Sequence, residues 1–92
     1  MEFEWDQSKA NANLKKHGVS FEEAKTIFAN PLAVIFDDEA HSVFEQREII
    51  MGHSWQNRLL LVAFTQRSSS VRIISARLAT HKEREDYEQY AL

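Results

Sequence analysis

Residues 58–77 contain the pattern that most limits how this chain can fold. An apolar run, Leu59–Phe64, is followed by polar residues at 66–70 and then by a second run, Val71–Arg77, that is rich in β-branched residues. Two such runs around a polar turn predict a β-hairpin. Because Leu59–Phe64 is apolar at odd and even positions alike, we expect it to form a central strand that is covered on both faces.

Three arginines lie on this hairpin: Arg67 at the turn, Arg72 within the second run and Arg77 at its end. Arginine rarely enters an apolar strand alone, since burying an unpaired charge is costly. Two interpretations follow: the arginines bind an anion, or Arg72 or Arg77 forms a structural ion pair. The candidate carboxylates for such a pair are Glu83, Glu48 and Asp6.

The register of the hairpin bears on which arginine belongs to the functional site and which is structural. If residues 67–70 form the turn, Gln66 pairs with Val71, and strand alternation places Arg72 and Arg77 on opposite faces unless a β-bulge intervenes. We assign Arg77 to the functional site because it ends its strand, where an open cleft is expected. Arg72 is then the paired, structural arginine, although it also stays a candidate for substrate binding.

Capping signals predict three helices. Asp6 or Ser8 caps a first helix that ends at Gly18, and capping boxes at residues 20–23 and 80–83 open a second and a closing helix.

Short segments at 3–5, 32–36 and 47–52 predict further strands, and the short run 32–36 also fits a helix. The predicted fold class is α+β: one small domain over residues 1–92, with a mostly antiparallel sheet, two N-terminal helices and one C-terminal helix.

Composition excludes several classes of function. The chain of 92 residues has no cysteine, which removes disulfides and thiolate chemistry, and its two glycines cannot supply a glycine-rich phosphate loop. The four histidines lack metal-ligand spacing, so we expect no metal and no cofactor. No apolar run is long enough to span a membrane. We interpret the acidic segment 37–41 as a solvated loop, and its likeness at 38–41 to a helicase motif as coincidence.

Basic residues come together from two places. Lys9 and His17 on the first helix lie along the margin of its apolar stripe, and the hairpin adds its arginines. A lysine in such a position is most often simply solvated, and a histidine at a helix end often interacts with the helix dipole. The net charge of −3 means that nucleic acid binding requires a local basic patch.

These residues are similar to those of the BrnT family, and the resemblance covers essentially the whole chain. It rests first on Phe3-Glu4-Trp5-Asp6, Lys9, Asn13 and the block Lys16-His17-Gly18-Val19-Ser20-Phe21-Glu22-Glu23-Ala24. It rests further on Arg47, Gly52, Leu60-Leu61-Val62, Arg67, Arg72-Ile73-Ile74-Ser75-Ala76-Arg77, Glu83-Arg84 and Tyr87.

The resemblance implies a small RelE-like ribonuclease fold and the toxin of a bacterial type II toxin–antitoxin system. Such a toxin is a cytoplasmic RNA endonuclease that inhibits translation. It is neutralised by a ribbon-helix-helix, BrnA-like antitoxin, and the pair binds operator DNA only through the antitoxin.

The resemblance and the chemistry of RNA cleavage together suggest roles for individual residues. Metal-free cleavage needs a deprotonated 2′-hydroxyl and donors for the phosphate charge. We expect Arg67 and Arg77 to neutralise that charge, and His17 with Lys9 to transfer protons or place the substrate. The candidates for substrate binding are Asn13, Arg47 and Arg72.

Two other functions stay open. The chain could be a non-catalytic interaction domain, or an inactive toxin relative that acts with its partner in transcriptional autoregulation. A direct DNA-binding module is disfavoured by the acidic net charge. We also expect that a core this small leaves apolar surface exposed for a partner, with Phe44, Trp55, Phe64 and Tyr90 competing for cover.

Overall fold

The computed structural model describes residues 1–42 and 45–91. Its strands are β1 (Glu2–Glu4), β2 (Val34–Asp37), β3 (Glu48–His53), β4 (Leu59–Arg67) and β5 (Ser70–Leu78). Its helices are α1 (Gln7–His17), α2 (Phe21–Thr26) and α3 (His81–Ala91), with 3₁₀ turns at Ile27–Ala29 and Glu39–His41. The predicted α+β class, with two N-terminal helices and one C-terminal helix, is confirmed.

The strands form a single five-stranded sheet in the order β1-β5-β4-β3-β2. β1 runs parallel to β5, and the other neighbours are antiparallel. β4 lies in the middle, and its residues from Leu59 to Thr65 are all buried. The prediction of a central strand covered on both faces is therefore confirmed.

Each face of the sheet has its own core. On one face, Leu60, Val62 and Phe64 of β4 pack with Ala10 of α1, Phe21 of α2 and Val19 between the two helices. On the other face, Leu59 and Leu61 pack with Met51 of β3 and Tyr87 of α3. The alternation along β4 thus explains why the two N-terminal helices and α3 cover opposite sides.

A β-bulge in β5 changes the predicted arrangement of the arginines. Gln66 pairs with Val71, as predicted, but between Phe64 and Ala63 the partner changes from Ile73 to Ser75, which leaves Ile74 as an extra residue. One extra residue moves every later side chain of the strand to the opposite face of the sheet.

Arg72 is consequently paired with Thr65 and Arg77 with Leu61. Thr65 and Leu61 are four residues apart on a regular strand, so they share a face. The prediction that Arg72 and Arg77 lie on opposite faces is therefore wrong, because of the bulge.

The predicted caps position the helices. The Asp6 carboxylate accepts from the Lys9 amide at 3.0 Å, and Gly18 ends α1 with a φ of +70°, which favours glycine. The Ser20 hydroxyl accepts from the Glu23 amide at 3.0 Å. At α3 both halves of the capping box form: Thr80 N donates to Glu83 at 2.9 Å, and Glu83 N donates to the Thr80 hydroxyl at 3.1 Å.

The expected exposure of aromatic residues is found in part. Trp55 and Tyr90 keep 72% and 79% of their surface exposed, whereas Phe64 is buried. Phe44 lies outside the described residues. None of the described helices is long and apolar enough to cross a membrane.

Candidate active site

A cleft of about 230 Å³ beside the turn of the β4–β5 hairpin gathers most of the predicted basic residues. It is lined by four cations, Lys9, Arg47, Arg67 and Arg72, and by His41, Glu45, Thr65 and Ile74. We call this cleft the basic cavity. It provides the local positive patch that a chain of net charge −3 needs in order to bind a nucleic acid.

The elements around the basic cavity explain its composition. Arg67 ends β4, and Arg72 stands opposite Thr65 on β5, one residue before Ile73 and the bulge. Lys9 comes from the first turns of α1, and Arg47 directly precedes β3. Ile74, the extra residue of the bulge, also lines the basic cavity.

Arg67 and Glu45 form a forked ion pair at the cavity. The Arg67 Nε and Nη2 atoms donate to the two Glu45 carboxylate oxygens at 2.9 and 3.2 Å. Hydrogen bonding from Arg67 is the main cause that holds the pKa of Glu45 below its ordinary value. Both side chains are about half exposed, so an incoming anion can compete with Glu45 for Arg67.

Arg72 has a much weaker intramolecular partner. Its Nη1 atom lies 4.0 Å from a carboxylate oxygen of Glu4, which is beyond hydrogen-bond distance. Its guanidinium donors are therefore available for a ligand.

Two buried polar atoms at the basic cavity lack a hydrogen-bond partner. They are the Arg47 Nε and the Thr65 Oγ1, and over residues 1–42 and 45–91 they are the only buried side-chain atoms in this condition. The Arg47 Nε lies 3.8 Å from the nearest Asp38 carboxylate oxygen. Buried polar groups without partners are rare and costly, so two at one cavity make it a candidate site for a polar ligand.

A carboxylate orients the imidazole that lines the cavity. The His41 Nδ1 lies 3.0 and 3.1 Å from the two oxygens of Asp38, whose side chain is mostly buried. Asp38 itself is held through its main chain, since its N–H donates to the Arg47 carbonyl at 2.9 Å. This arrangement fixes the ring of His41 and leaves its Nε2 for other contacts.

Of the seven residues predicted for the site, the structure brings together Lys9, Arg47, Arg67 and Arg72. His17 is not among the residues that line the basic cavity. It ends α1, eight residues beyond Lys9, which is about 12 Å along a helix axis.

Asn13 is buried and its amide is engaged with the main chain. Its Nδ2 donates to the carbonyls of Val19 and Ala76 at 2.9 and 2.8 Å, and its Oδ1 accepts from the Ala76 amide at 3.1 Å. The side chain thus pairs with β5 as a neighbouring strand would. In this arrangement it has no free donor to offer a substrate.

Arg77 lies away from the basic cavity and is joined to α3. Its Nη1 and Nη2 donate to the Glu83 carboxylate at 2.8 and 2.9 Å. This is one of the ion pairs that the sequence suggested. Arg77 contributes chiefly through hydrogen bonding to the lowering of the Glu83 pKa, from 4.5 to about 2.

Sequence reasoning missed one apolar lining residue of the basic cavity, Ile74, and three polar ones, His41, Glu45 and Thr65. The acidic character of the segment around His41 predicts a solvated loop, although the spacing of Asp38 and His41 fits one turn of helix. Glu45 and Thr65 carry no local signal, because only the tertiary fold brings them to the arginines.

A second missed arrangement is structural. The buried carboxylate of Glu23 accepts from the Ser54 hydroxyl at 2.7 Å, from the Arg58 Nε at 2.9 Å and from the Arg58 Nη2. Hydrogen bonding from Arg58 is the main cause that lowers the Glu23 pKa. This network ties α2 to the turn between β3 and β4. Across the described part of the chain, no three His, Asp or Glu side chains gather as a metal site would require.

A larger groove, of about 490 Å³, lies on the α3 face of the sheet. It is lined mainly by apolar residues, Val34, Ile35, Phe36, Ile49, Met51, Leu61, Tyr87 and Tyr90, with Arg77, Glu83 and Asp86 at its rim. We call it the apolar groove. Ile35 and Phe36 belong to the edge strand β2 and keep 55% and 43% of their surface exposed.

Comparison with known proteins places the chain in a family. Residues 5–83 match the family described as the ribonuclease toxin, BrnT, of type II toxin–antitoxin systems. The fold is similar to the crystal structure of the Brucella abortus ribonuclease toxin, BrnT, with a TM-score of 0.70 and 25% identity over 88% of this chain and 99% of that one. No curated protein matches the sequence significantly. The match over most of the chain shows that it belongs to the BrnT family of ribonuclease toxins of type II toxin–antitoxin systems.

Proposed function

We propose that this BrnT-family protein is a metal-independent endoribonuclease that cleaves RNA through the 2′-hydroxyl and thereby inhibits translation in the cytoplasm. The observation that carries the proposal is the basic cavity. It combines four cations with two buried polar atoms that have no partner. Residues 1–92 act in this proposal as one RelE-like toxin domain.

The cavity suits a phosphodiester that passes through a more highly charged transition state. Arginine presents forked donors that match phosphate oxygens, and one preorganised donor can contribute about 3 kcal/mol to the transition state. Arg72 supplies this fork most directly, because its nearest carboxylate is 4.0 Å away. Arg67 joins it once a phosphate displaces Glu45.

The buried atoms of the cavity floor suit the same ligand. The Arg47 Nε and the Thr65 hydroxyl are donors without a partner, and a non-bridging phosphate oxygen would satisfy either of them. Lys9, which is exposed on α1, adds a mobile charge at the rim. The site of this proposal therefore contains Arg47, Thr65 and Arg72 in addition to Arg67 and Lys9.

The proposal is tested with purified protein and total bacterial RNA in the presence of EDTA. We expect cleavage to persist and to leave 5′-hydroxyl and 2′,3′-cyclic or 3′-phosphate ends. Arg72→Lys keeps the charge but loses the fork, so we expect cleavage to fall by about 100-fold. Arg84→Lys, on the exposed part of α3, is the matched control and should leave the rate unchanged.

Two results would contradict the mechanism. Activity that is abolished by EDTA and restored by magnesium would require a metal. Equal rates for the Arg72→Lys and Arg84→Lys proteins would remove the basic cavity from the reaction.

For the partner, we propose a ribbon-helix-helix antitoxin of the BrnA type, which alone contacts operator DNA. The support is the apolar groove, which exposes Ile35 and Phe36 on an edge strand that can pair with an added chain. An antitoxin segment of apolar character would cover these residues.

The alternative function is a non-catalytic interaction domain acting in autoregulation with the same partner. The observation in its favour is that Arg67 is already neutralised by Glu45. The two functions differ in cells: induced expression of an active ribonuclease arrests growth, and arrest is lost with Arg72→Lys. Unaffected growth and intact RNA would favour the interaction domain.

A further inference from the structure

The proton transfers of the proposed reaction need an acid and a base at the basic cavity, beyond the residues predicted from the sequence. Cleavage through the 2′-hydroxyl requires one group to take a proton from the nucleophile and another to give one to the leaving oxygen. Arginine does not serve here, because it stays protonated at all accessible pH values. His17, the histidine predicted for this task, does not line the basic cavity.

The basic cavity itself contains one imidazole and one carboxylate, His41 and Glu45. Both come from the segment that connects β2 to β3, and both stand among cations that would bind the phosphate. An ionised carboxylate can accept a proton, and an imidazolium can donate one. This is the combination that an in-line displacement at phosphorus uses.

The surroundings of His41 set its part in the reaction. Asp38 holds the Nδ1 at 3.0 Å, which fixes the orientation of the ring. The Nε2 is then the nitrogen from which a proton can leave. Arg47 also approaches this carboxylate, with its Nε 3.8 Å from an Asp38 oxygen.

The surroundings of Glu45 favour the complementary part. Its ion pair with Arg67 keeps the carboxylate ionised, so it is ready to accept a proton. When a phosphate takes over Arg67, Glu45 is released next to that phosphate. The same arginine would thus couple binding of the substrate to exposure of the base.

We infer that, given the ribonuclease function proposed above, His41 is the general acid and Glu45 the general base of the reaction, with Asp38 as the positioning residue of His41. The 2′-oxygen forms a bond to phosphorus, and its proton moves to a Glu45 carboxylate oxygen. The bond from phosphorus to the 5′-oxygen breaks, and that oxygen takes the Nε2 proton of His41. The products are a 2′,3′-cyclic phosphate and a 5′-hydroxyl, and proton exchange with water restores both side chains.

The test uses an RNA oligonucleotide that spans a mapped cleavage site, in an ordinary form and in a form with sulfur in place of the 5′-bridging oxygen. A thiolate leaves without a proton, so loss of a general acid does not slow the sulfur substrate. We expect His41→Asn to reduce cleavage of ordinary RNA by about 100-fold or more and to leave the sulfur substrate within a few-fold of wild type. Glu45→Gln should slow both substrates by about 100-fold, because the base is needed for each.

The controls separate this inference from the proposed function. His81→Asn, on α3, replaces an exposed histidine outside the cavity and should cleave both substrates at the wild-type rate. Asp38→Asn should slow the cleavage of ordinary RNA only. The double variant with His41→Asn should cleave no more slowly than His41→Asn alone. Equal losses on the two substrates for His41→Asn, or no loss on either, would overturn the role of His41. Wild-type protein that cleaves neither substrate would instead overturn the ribonuclease function itself.

Discussion

The Arg77 guanidinium donates from both terminal nitrogens to the Glu83 carboxylate, at 2.8 and 2.9 Å, while Glu83 also closes the capping box of α3. The last strand and the last helix are therefore joined by one carboxylate. The sequence-based assignment of Arg77 to the site depended on its position at the end of its strand, where an open cleft was expected. Since its guanidinium is bound to Glu83 and it does not line the basic cavity, we now expect Arg77 to act on stability.

Replacing Arg77 by lysine should lower the melting temperature more than it lowers activity. Lysine keeps the charge but cannot form the two parallel hydrogen bonds, so we expect a loss of about 1 kcal/mol, or roughly 4–8 °C. Thermal unfolding followed by circular dichroism measures this loss, with Arg84→Lys as the control on the same helix. A stable Arg77→Lys protein that no longer cleaves RNA would restore the original assignment.

The same pair should make stability depend on pH in the acid range. Folding lowers the pKa of Glu83 from 4.5 to about 2, so its contribution is fully present above about pH 4.5 and is lost as the pH falls toward 2. The difference in melting temperature between wild type and Glu83→Gln should therefore shrink over that range. Glu85→Gln, which removes an exposed carboxylate of α3, should show a smaller and flatter difference. A difference for Glu83→Gln that grows on acidification would contradict this linkage.

Asn13→Ala should be strongly destabilising. The substitution removes three hydrogen bonds and leaves the main chain of Val19 and Ala76 unpaired in a buried region. We expect a loss of about 2–3 kcal/mol in the free energy of unfolding, measured by urea denaturation. Asn11→Ala on the exposed face of α1 is the matched control and should change little. A fully stable Asn13→Ala protein with weakened RNA binding would instead support the substrate-binding role predicted from the sequence.

Ile35→Glu should weaken the complex with the antitoxin while leaving RNA cleavage intact. Ile35 lines the apolar groove and is 55% exposed, so a charge there costs the free toxin little but disturbs an apolar interface. Leu14→Glu, at a residue 51% exposed on α1 outside the groove, is the control. Size-exclusion chromatography of the mixed proteins at micromolar concentration gives the readout. Unchanged complex formation by Ile35→Glu would show that the antitoxin binds elsewhere.

The hairpin, the caps and the fold class could be predicted because each depends on local pattern. The run from Leu59 to Phe64 specifies a central strand by its own composition, and the boxes at Ser20 and Thr80 specify helix starts by spacing. The bulge at Ile74 has no comparable signal. It is one extra residue between Ile73 and Ser75, and it decides which face Arg77 occupies.

The arginines of the candidate site could be predicted from the sequence, whereas several of its other lining residues could not. Arg67 and Arg72 stand out because arginine is unusual in a β-rich run, and both line the basic cavity. His41 lies in a short 3₁₀ turn and Glu45 follows it outside any helix or strand, so residue type says little about their position. Their approach to the arginines depends on where the chain turns back between β2 and β3, and no local pattern specifies that path.

The side-chain pairing of Asn13 with Ala76 has a consequence for how the molecule can associate. β1 covers only the first part of β5, and Asn13 is hydrogen-bonded to the main-chain groups of Ala76 beyond it. This side of the sheet therefore ends in a short, acidic strand and in main-chain groups that already have partners, which disfavours pairing with another strand. The opposite side ends in β2, whose outer groups face no other described strand. We therefore expect strand addition on the β2 side. Two copies that paired through this edge would form a closed pair and not an open-ended fibre.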